Sequence, residues 1–170
     1  MNSQKDDTNI KVFVEKCSDK ITLPSYANSG DAGMDVCSAE DTELKPGETK
    51  IISTGLKLAI PLGYEVQVRP RSGMSFKTPL RLANSPGTID SGYRDELGII
   101  ITNTSCECCS SNEIFFLGSS NNKKGTYMIK KGDRIAQIII APVYKIEFCE
   151  VRQVKDIGEN RGGGFGSSGI

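Results

Sequence analysis

Apolar and polar residues alternate with a period of two through much of the chain. The pattern runs through Lys11-Val12-Phe13-Val14, Lys50 to Ser53, Leu56 to Ile60, Tyr64 to Arg69, Glu96 to Thr102, Arg134 to Ala141 and Lys145 to Val151. A period of two sends successive side chains to opposite faces, so each run predicts a strand with one face toward a core. Turn-forming residues separate the runs at Lys45-Pro46-Gly47-Glu48, Ile60-Pro61-Leu62-Gly63, Ser85-Pro86-Gly87 and Lys131-Gly132-Asp133. No window of about a dozen residues keeps a helical period, although Ser72 to Lys77 has room for one turn. Short strands with frequent turns predict an all-β sandwich, jelly roll or barrel.

One stretch departs from this rhythm. Ser105 to Thr126 is longer than an ordinary hairpin connection. Within it, Glu113 to Leu117 predicts a short strand and Gly118 to Gly125 an exposed, flexible tip. Ile114, Phe115, Phe116 and Leu117 are four adjacent apolar residues, which do not readily face water together. The stretch also carries Cys106, Cys108 and Cys109. A structural zinc site takes four converging ligands, whereas two of these three cysteines are adjacent and the chain has no histidine. They read as loop thiols, and Cys17, Cys37 and Cys149 read as reduced strand residues.

The chain has 170 residues, enough for one domain with a real core. Its formal net charge is zero, so nothing global draws it to nucleic acid or an anionic membrane. Met1-Asn2-Ser3-Gln4-Lys5-Asp6-Asp7 lacks the apolar core of a signal peptide. The longest apolar run, Ile135 to Val143, is interrupted by Gln137 and Pro142 and is too short to span a bilayer. The expectation is a soluble, cytoplasmic protein. Without histidine, Ser-His and Cys-His nucleophilic machinery is excluded, and any general base is expected to be a carboxylate.

Five segments join backbone-permissive glycines to polar groups. Ala32-Gly33-Met34-Asp35-Val36 sets a carboxylate beside a strand start. Pro70-Arg71-Ser72-Gly73-Met74-Ser75 follows a strand with an Arg fork, a hydroxyl and amide donors, a combination suited to phosphate oxygens. Asn84 to Arg94 reads as a hairpin that brings Asp90 and Tyr93 close together. Gly132-Asp133-Arg134-Ile135-Ala136-Gln137 enters a strand with a polar side chain. The chain ends in Arg161-Gly162-Gly163-Gly164-Phe165-Gly166-Ser167-Ser168-Gly169-Ile170, a mobile tether whose Arg and Phe suit a phosphate and a base. Each alone has an ordinary reading as a turn, a half-buried aromatic or a frayed terminus.

Together and in this order, the five segments resemble the motifs of the trimeric dUTP diphosphatase family, from about Ile10 to the C-terminus. The resemblance implies a distorted jelly-roll, β-clip-like barrel in residues 1–158, with an insert at about 105–126 and a closing tail at 159–170. It implies a homotrimer with shared sites and hydrolysis of dUTP to dUMP and pyrophosphate. By resemblance, Arg71, Ser72 and Gly73 hold the phosphate chain, with Gln137 nearby. Asn84 and the backbone of Gly87, Thr88, Ile89 and Gly98 read the uracil edge. Asp90 contacts the 3′-hydroxyl and activates water, and Tyr93 packs beneath the sugar. Arg161, Phe165, Gly166 and Ser167 close over base and γ-phosphate, and Asp35 supports the metal-phosphate region. Mg²⁺ is the implied cofactor, held mainly by substrate phosphates and waters rather than by direct protein ligands.

Three departures from the family pattern stand out. Arg161 and Phe165 are separated by three residues, where the family usually has four. Asp95 stands where glycine is common, and the 105–126 insert has no family role to carry over. A related deoxycytidine triphosphate deaminase would need a carboxylate at the cytosine amino group. The uracil-type hairpin and the Phe-bearing tail favour hydrolysis. A non-catalytic nucleotide sensor fits poorly with Ser72, Asp90, Tyr93 and Gln137 all in place. Because the five motifs lie outside the insert, hydrolysis is expected to be independent of it.

Overall fold

The computed structural model describes residues 9–106, 113–118, 121–159 and 162. Its strands, in chain order, are β1 (Phe13–Lys16), β2 (Met34–Cys37), β3 (Thr42–Leu44), β4 (Thr49–Ala59), β5 (Tyr64–Arg69), β6 (Leu80–Leu82), β7 (Gly87–Ile89), β8 (Glu96–Asn103), β9 (Ile114–Phe116), β10 (Thr126–Ile129) and β11 (Arg134–Pro142). Among the described residues one α-helix, α1 (Ser72–Lys77), lies between β5 and β6, and a 3₁₀ turn follows at Val154–Asp156. Three sheets form, ordered β1-β4-β8-β6, β3-β10-β9 and β2-β11-β5-β7. Every pairing is antiparallel except β9 with β10. Among the described residues, no helix is long and apolar enough to cross a membrane.

The alternation does the work predicted of it. Along β8, Leu97, Ile99 and Ile101 point inward and are buried, joined from the other sheets by Leu44, Tyr127 and Ile129 and by Val36, Val66, Ile135 and Ile138. They form one continuous core. Buried Asn103 ends β8 with all its polar atoms used: its amide nitrogen donates to Leu44 O at 3.1 Å and Gly125 O at 2.8 Å, and its oxygen accepts from Ser105 N at 3.0 Å.

Several expectations need correction. The runs Lys50–Ser53 and Leu56–Ile60 are one strand, β4, interrupted by a bulge: Ser53 pairs with Gly98 and Lys57 with Glu96. Gly55 makes this possible, with φ of 68° and no room for a side chain, since a Cβ there would lie 2.6 Å from Ile21 Cδ1. The segment 84–94 is not a hairpin, because β7 pairs with β5 while β8 pairs with β4 and β6. It is a seam where the chain passes from one sheet to another. Lys145 to Val151 forms no strand, and Cys149 lies in that unpaired stretch; Cys17 falls just after β1 rather than within it. The helical turn at Ser72–Lys77 and the short strand in the insert are where the residues placed them. That strand buries Phe115 and leaves Ile114 and Phe116 on the exposed side. Cys106 is exposed, while Cys108 and Cys109 lie outside the described residues.

Candidate functional site

β5 runs out of the core at Arg69 and delivers Arg71 to the start of α1. The Arg71 guanidinium closes on Asp35 of β2 in a two-point fork, Nε to Oδ1 at 2.7 Å and Nη2 to Oδ2 at 3.1 Å. Arg134, at the start of β11, reaches the same carboxylate with Nη1 to Oδ2 at 3.4 Å, and its carbonyl accepts from Arg71 Nη1 at 3.4 Å. Asp35 is thus a positioning group for two arginines. Burial, with the Asp35 carboxylate adding to it, pushes the nearby Cys37 thiol above its ordinary pKa.

Gln137 of β11 donates its amide to Pro70 O at 2.8 Å, which pins the residue before Arg71. Gly33 is the counterpart of this contact. A Cβ at Gly33 would approach the Gln137 amide oxygen to 2.5 Å, so a side chain there would displace the Gln137 amide. Asp35, Arg71, Ser72, Gly73 and Gln137 therefore gather at one end of the β2-β11-β5-β7 sheet, with Ser72 and Gly73 exposed.

The second group lies along β7 and the seam. The Asn84 side-chain nitrogen lies 3.2 Å from where a Gly87 Cβ would stand, so the exposed amide rests against bare backbone. Thr88 and Ile89 pair with Gln67 and Val66. Asp90 and Tyr93 face each other across a turn closed by Tyr93 N to Asp90 O at 3.1 Å. The Tyr93 hydroxyl donates to Glu96 O at 2.9 Å. The Glu96 carboxylate fills the bulge of β4, accepting from the Ser53 hydroxyl and from Gly55 N at 2.8 Å. The Ser53 hydrogen bond, supported by backbone amides of the bulge, holds the Glu96 carboxyl below its ordinary pKa. Gly98 sits further along β8, beneath Ile51, whose Cγ2 would be 2.5 Å from any Cβ at that position.

The two groups do not converge within one chain. Asp90 follows Ile89, which pairs with Val66 near the start of β5, while Arg71 lies beyond the other end of that strand. Five residue steps along extended chain separate Val66 from Arg71, on the order of 15 Å. Arg161, Phe165, Gly166 and Ser167 lie outside the described residues. Sequence reasoning missed Arg134 as a partner of Asp35 and Glu96 as the support of Tyr93. Arg134 stands in the same motif as Gln137, but its target is 99 residues away. Glu96 had no signal beyond its place at a strand start.

The family model for dUTPase matches residues 19–113 and 117–169. The deoxyuridine 5′-triphosphate nucleotidohydrolase of Nautilia profundicola is 43% identical over 160 residues, spanning 94% of this chain and 99% of that protein. Among solved structures, the Staphylococcus bacteriophage 80alpha dUTPase with dUPNHPP superposes with a TM-score of 0.83 at 34% identity, covering 94% of this chain and 99% of that one. A mutant dUTPase of phage phi11 of S. aureus, in which a structural Mg(II) ion is coordinated, has a TM-score of 0.76 at 32% identity, covering 85% of this chain and 99% of that one. The chain belongs to the dUTPase family and has its all-β fold.

Proposed function

We propose that this chain hydrolyses dUTP to dUMP and pyrophosphate as a homotrimer, with each site assembled from more than one copy. The observation that carries this reading is the separation of the Asp90–Tyr93 turn from the Arg71–Asp35–Gln137 group in a member of the dUTPase family. Neither half is a complete site. A second copy would bring the phosphate-gripping turn to the seam that carries the carboxylate. The unpaired, alternating Tyr144, Ile146 and Phe148 supply an apolar surface for such an assembly.

In this reading Arg71, Ser72 and Gly73 grip the phosphates, and Gln137 keeps the turn in place through Pro70. Asn84 and the backbone of Gly87, Thr88, Ile89 and Gly98 read uracil. Tyr93 packs against the sugar C2′ and leaves no space for a ribose hydroxyl. Asp90 takes the proton of a water whose oxygen bonds to the α-phosphorus as the bond to pyrophosphate breaks. The tail residues Arg161, Phe165, Gly166 and Ser167 cover base and γ-phosphate. Both oxygens of Asp35 are engaged by arginines, which fits a magnesium ion coordinated mainly by phosphate oxygens and water. Bound there, magnesium would neutralise charge on the leaving pyrophosphate.

The test is incubation with dUTP, dCTP or UTP and Mg²⁺, with dUMP, dUDP, pyrophosphate and ammonia resolved. Pyrophosphate and dUMP from dUTP alone are expected. Ammonia from dCTP would make the chain a deaminase, and no product from any nucleotide would make it a binding module.

A further inference from the structure

α1 has only six residues, too few to hold a helix by themselves. No side chain caps its first turn, and of its residues only Met74 is buried. Gln137 and Asp35 hold its N-terminal side at Pro70 and Arg71, and its C-terminal end, where the last carbonyls of a helix need donors, is held separately. Thr78 supplies two of these bonds, its amide and its hydroxyl donating to Met74 O at 3.0 and 2.7 Å. The Lys77 carbonyl is met by the insert: Asn122 N donates to it at 2.6 Å.

The insert is built to present that amide. Asn121 and Asn122 have φ of 45° and 59°, a left-handed conformation that asparagine tolerates better than most residues. The loop is tied down behind them. The Tyr127 hydroxyl donates to Lys123 O at 2.7 Å, buried Asn103 holds Gly125 O, and Gly125 N donates to Ser105 Oγ at 3.1 Å. On its other limb, Leu117 packs against the core, and Leu117 and Gly118 face Arg71, Gly73 and Lys77 across a cleft of about 330 Å³.

We infer that the described parts of the insert, residues 113–118 and 121–126, brace the phosphate-gripping turn, with Asn122 as a positioning residue that fixes α1 from behind. This rests on the reading that Arg71, Ser72 and Gly73 hold the triphosphate. It revises the expectation that hydrolysis is independent of the insert. The brace acts on the phosphate end of the substrate and leaves the base-and-sugar end alone, because Asn84, Asp90 and Tyr93 lie on other elements.

The experiment compares N122P with N122G in the full chain. Proline removes the N–H and cannot adopt the observed φ, whereas glycine keeps both. N122P is expected to bind a non-hydrolysable imido analogue of dUTP about tenfold more weakly, the size of one lost hydrogen bond. Its affinity for dUMP should stay within about twofold, and N122G should match the unmodified protein on both ligands. Unchanged binding of the analogue by folded N122P overturns the brace, as does an equal loss for both ligands. Should N122P not fold, hydrogen exchange on the unmodified protein decides: the imido analogue must slow exchange over residues 121–125 more than dUMP does, and equal rates overturn the inference. An unmodified protein that neither binds nor hydrolyses dUTP overturns the functional reading and the brace together, whereas insensitivity of N122P in an active background overturns the brace alone.

Discussion

β11 and the segment directly after it, residues 143–151, are both rich in apolar side chains but have opposite surroundings. β11 is paired along one side with β2 and along the other with β5, and Ile135, Ala136 and Ile138 vanish into the core. Past Pro142, Val143 N still reaches Gly63 O at 2.8 Å. Beyond it Tyr144, Ile146 and Phe148 are 88%, 78% and 90% exposed. A strand pattern states that a segment can pair; it does not state that its partner is in the same chain. The enclosed strand supplies Arg134 and Gln137 to the group around Asp35 and Pro70. The open region is suited to joining copies.

The strongest test of this division is D90N. The amide cannot take up a proton, so kcat should fall by about 10²–10⁴, while light scattering shows an unchanged assembly. A folded D90N enzyme with near-normal turnover would remove Asp90 from the mechanism. The converse variant is I146D/F148D. Two charges on the open segment should abolish the trimer in light scattering while circular dichroism keeps its β signature, and activity should drop by at least about tenfold as desolvated interface anchors are lost. An active monomer would refute the shared site.

A smaller effect probes the enclosed region itself, at the Glu96 carboxylate in the β4 bulge. Its folded pKa is lowered from 4.5, so its contribution to stability is fully present above that value and is lost as pH falls through the lower folded value. The melting temperature of the unmodified protein should therefore decline below about pH 4.5 more steeply than that of E96Q. At pH 7, E96Q should melt about 2–4 °C lower. Parallel pH profiles for the two proteins would show that Glu96 adds nothing through its charge.

The long strands and the motif turns could be read from the residues because their signals are local. β5 and β8 run six residues or more with buried positions alternating along them, β11 is a nine-residue run rich in apolar residues, and α1 sits where the only helical turn was predicted. β3, β6 and β7 have three residues each, too few to establish a period, and they exist because neighbouring strands offer an edge. At 84–94 the Pro and Gly signals announced turns but suggested a hairpin, because which sheet receives the chain is settled by packing far away in sequence. The same holds for the site: Asp35 and Arg71 could be named separately, whereas their two-point contact, and Arg134 as its third member, appear only when β2, β5 and β11 lie side by side.

That contact has a thermodynamic consequence. A free arginine side chain has about 2 kcal/mol of rotamer entropy to lose when it is fixed. Asp35 immobilises the Arg71 fork through Nε and Nη2 before any nucleotide arrives. Much of that entropy is therefore lost during folding, so binding has less disorder to overcome. In the proposed reading, affinity for a triphosphate at this turn depends on how stiffly Asp35 holds the guanidinium in the empty protein, and a substitution at Asp35 would weaken binding even if every contact made by Arg71 could still form.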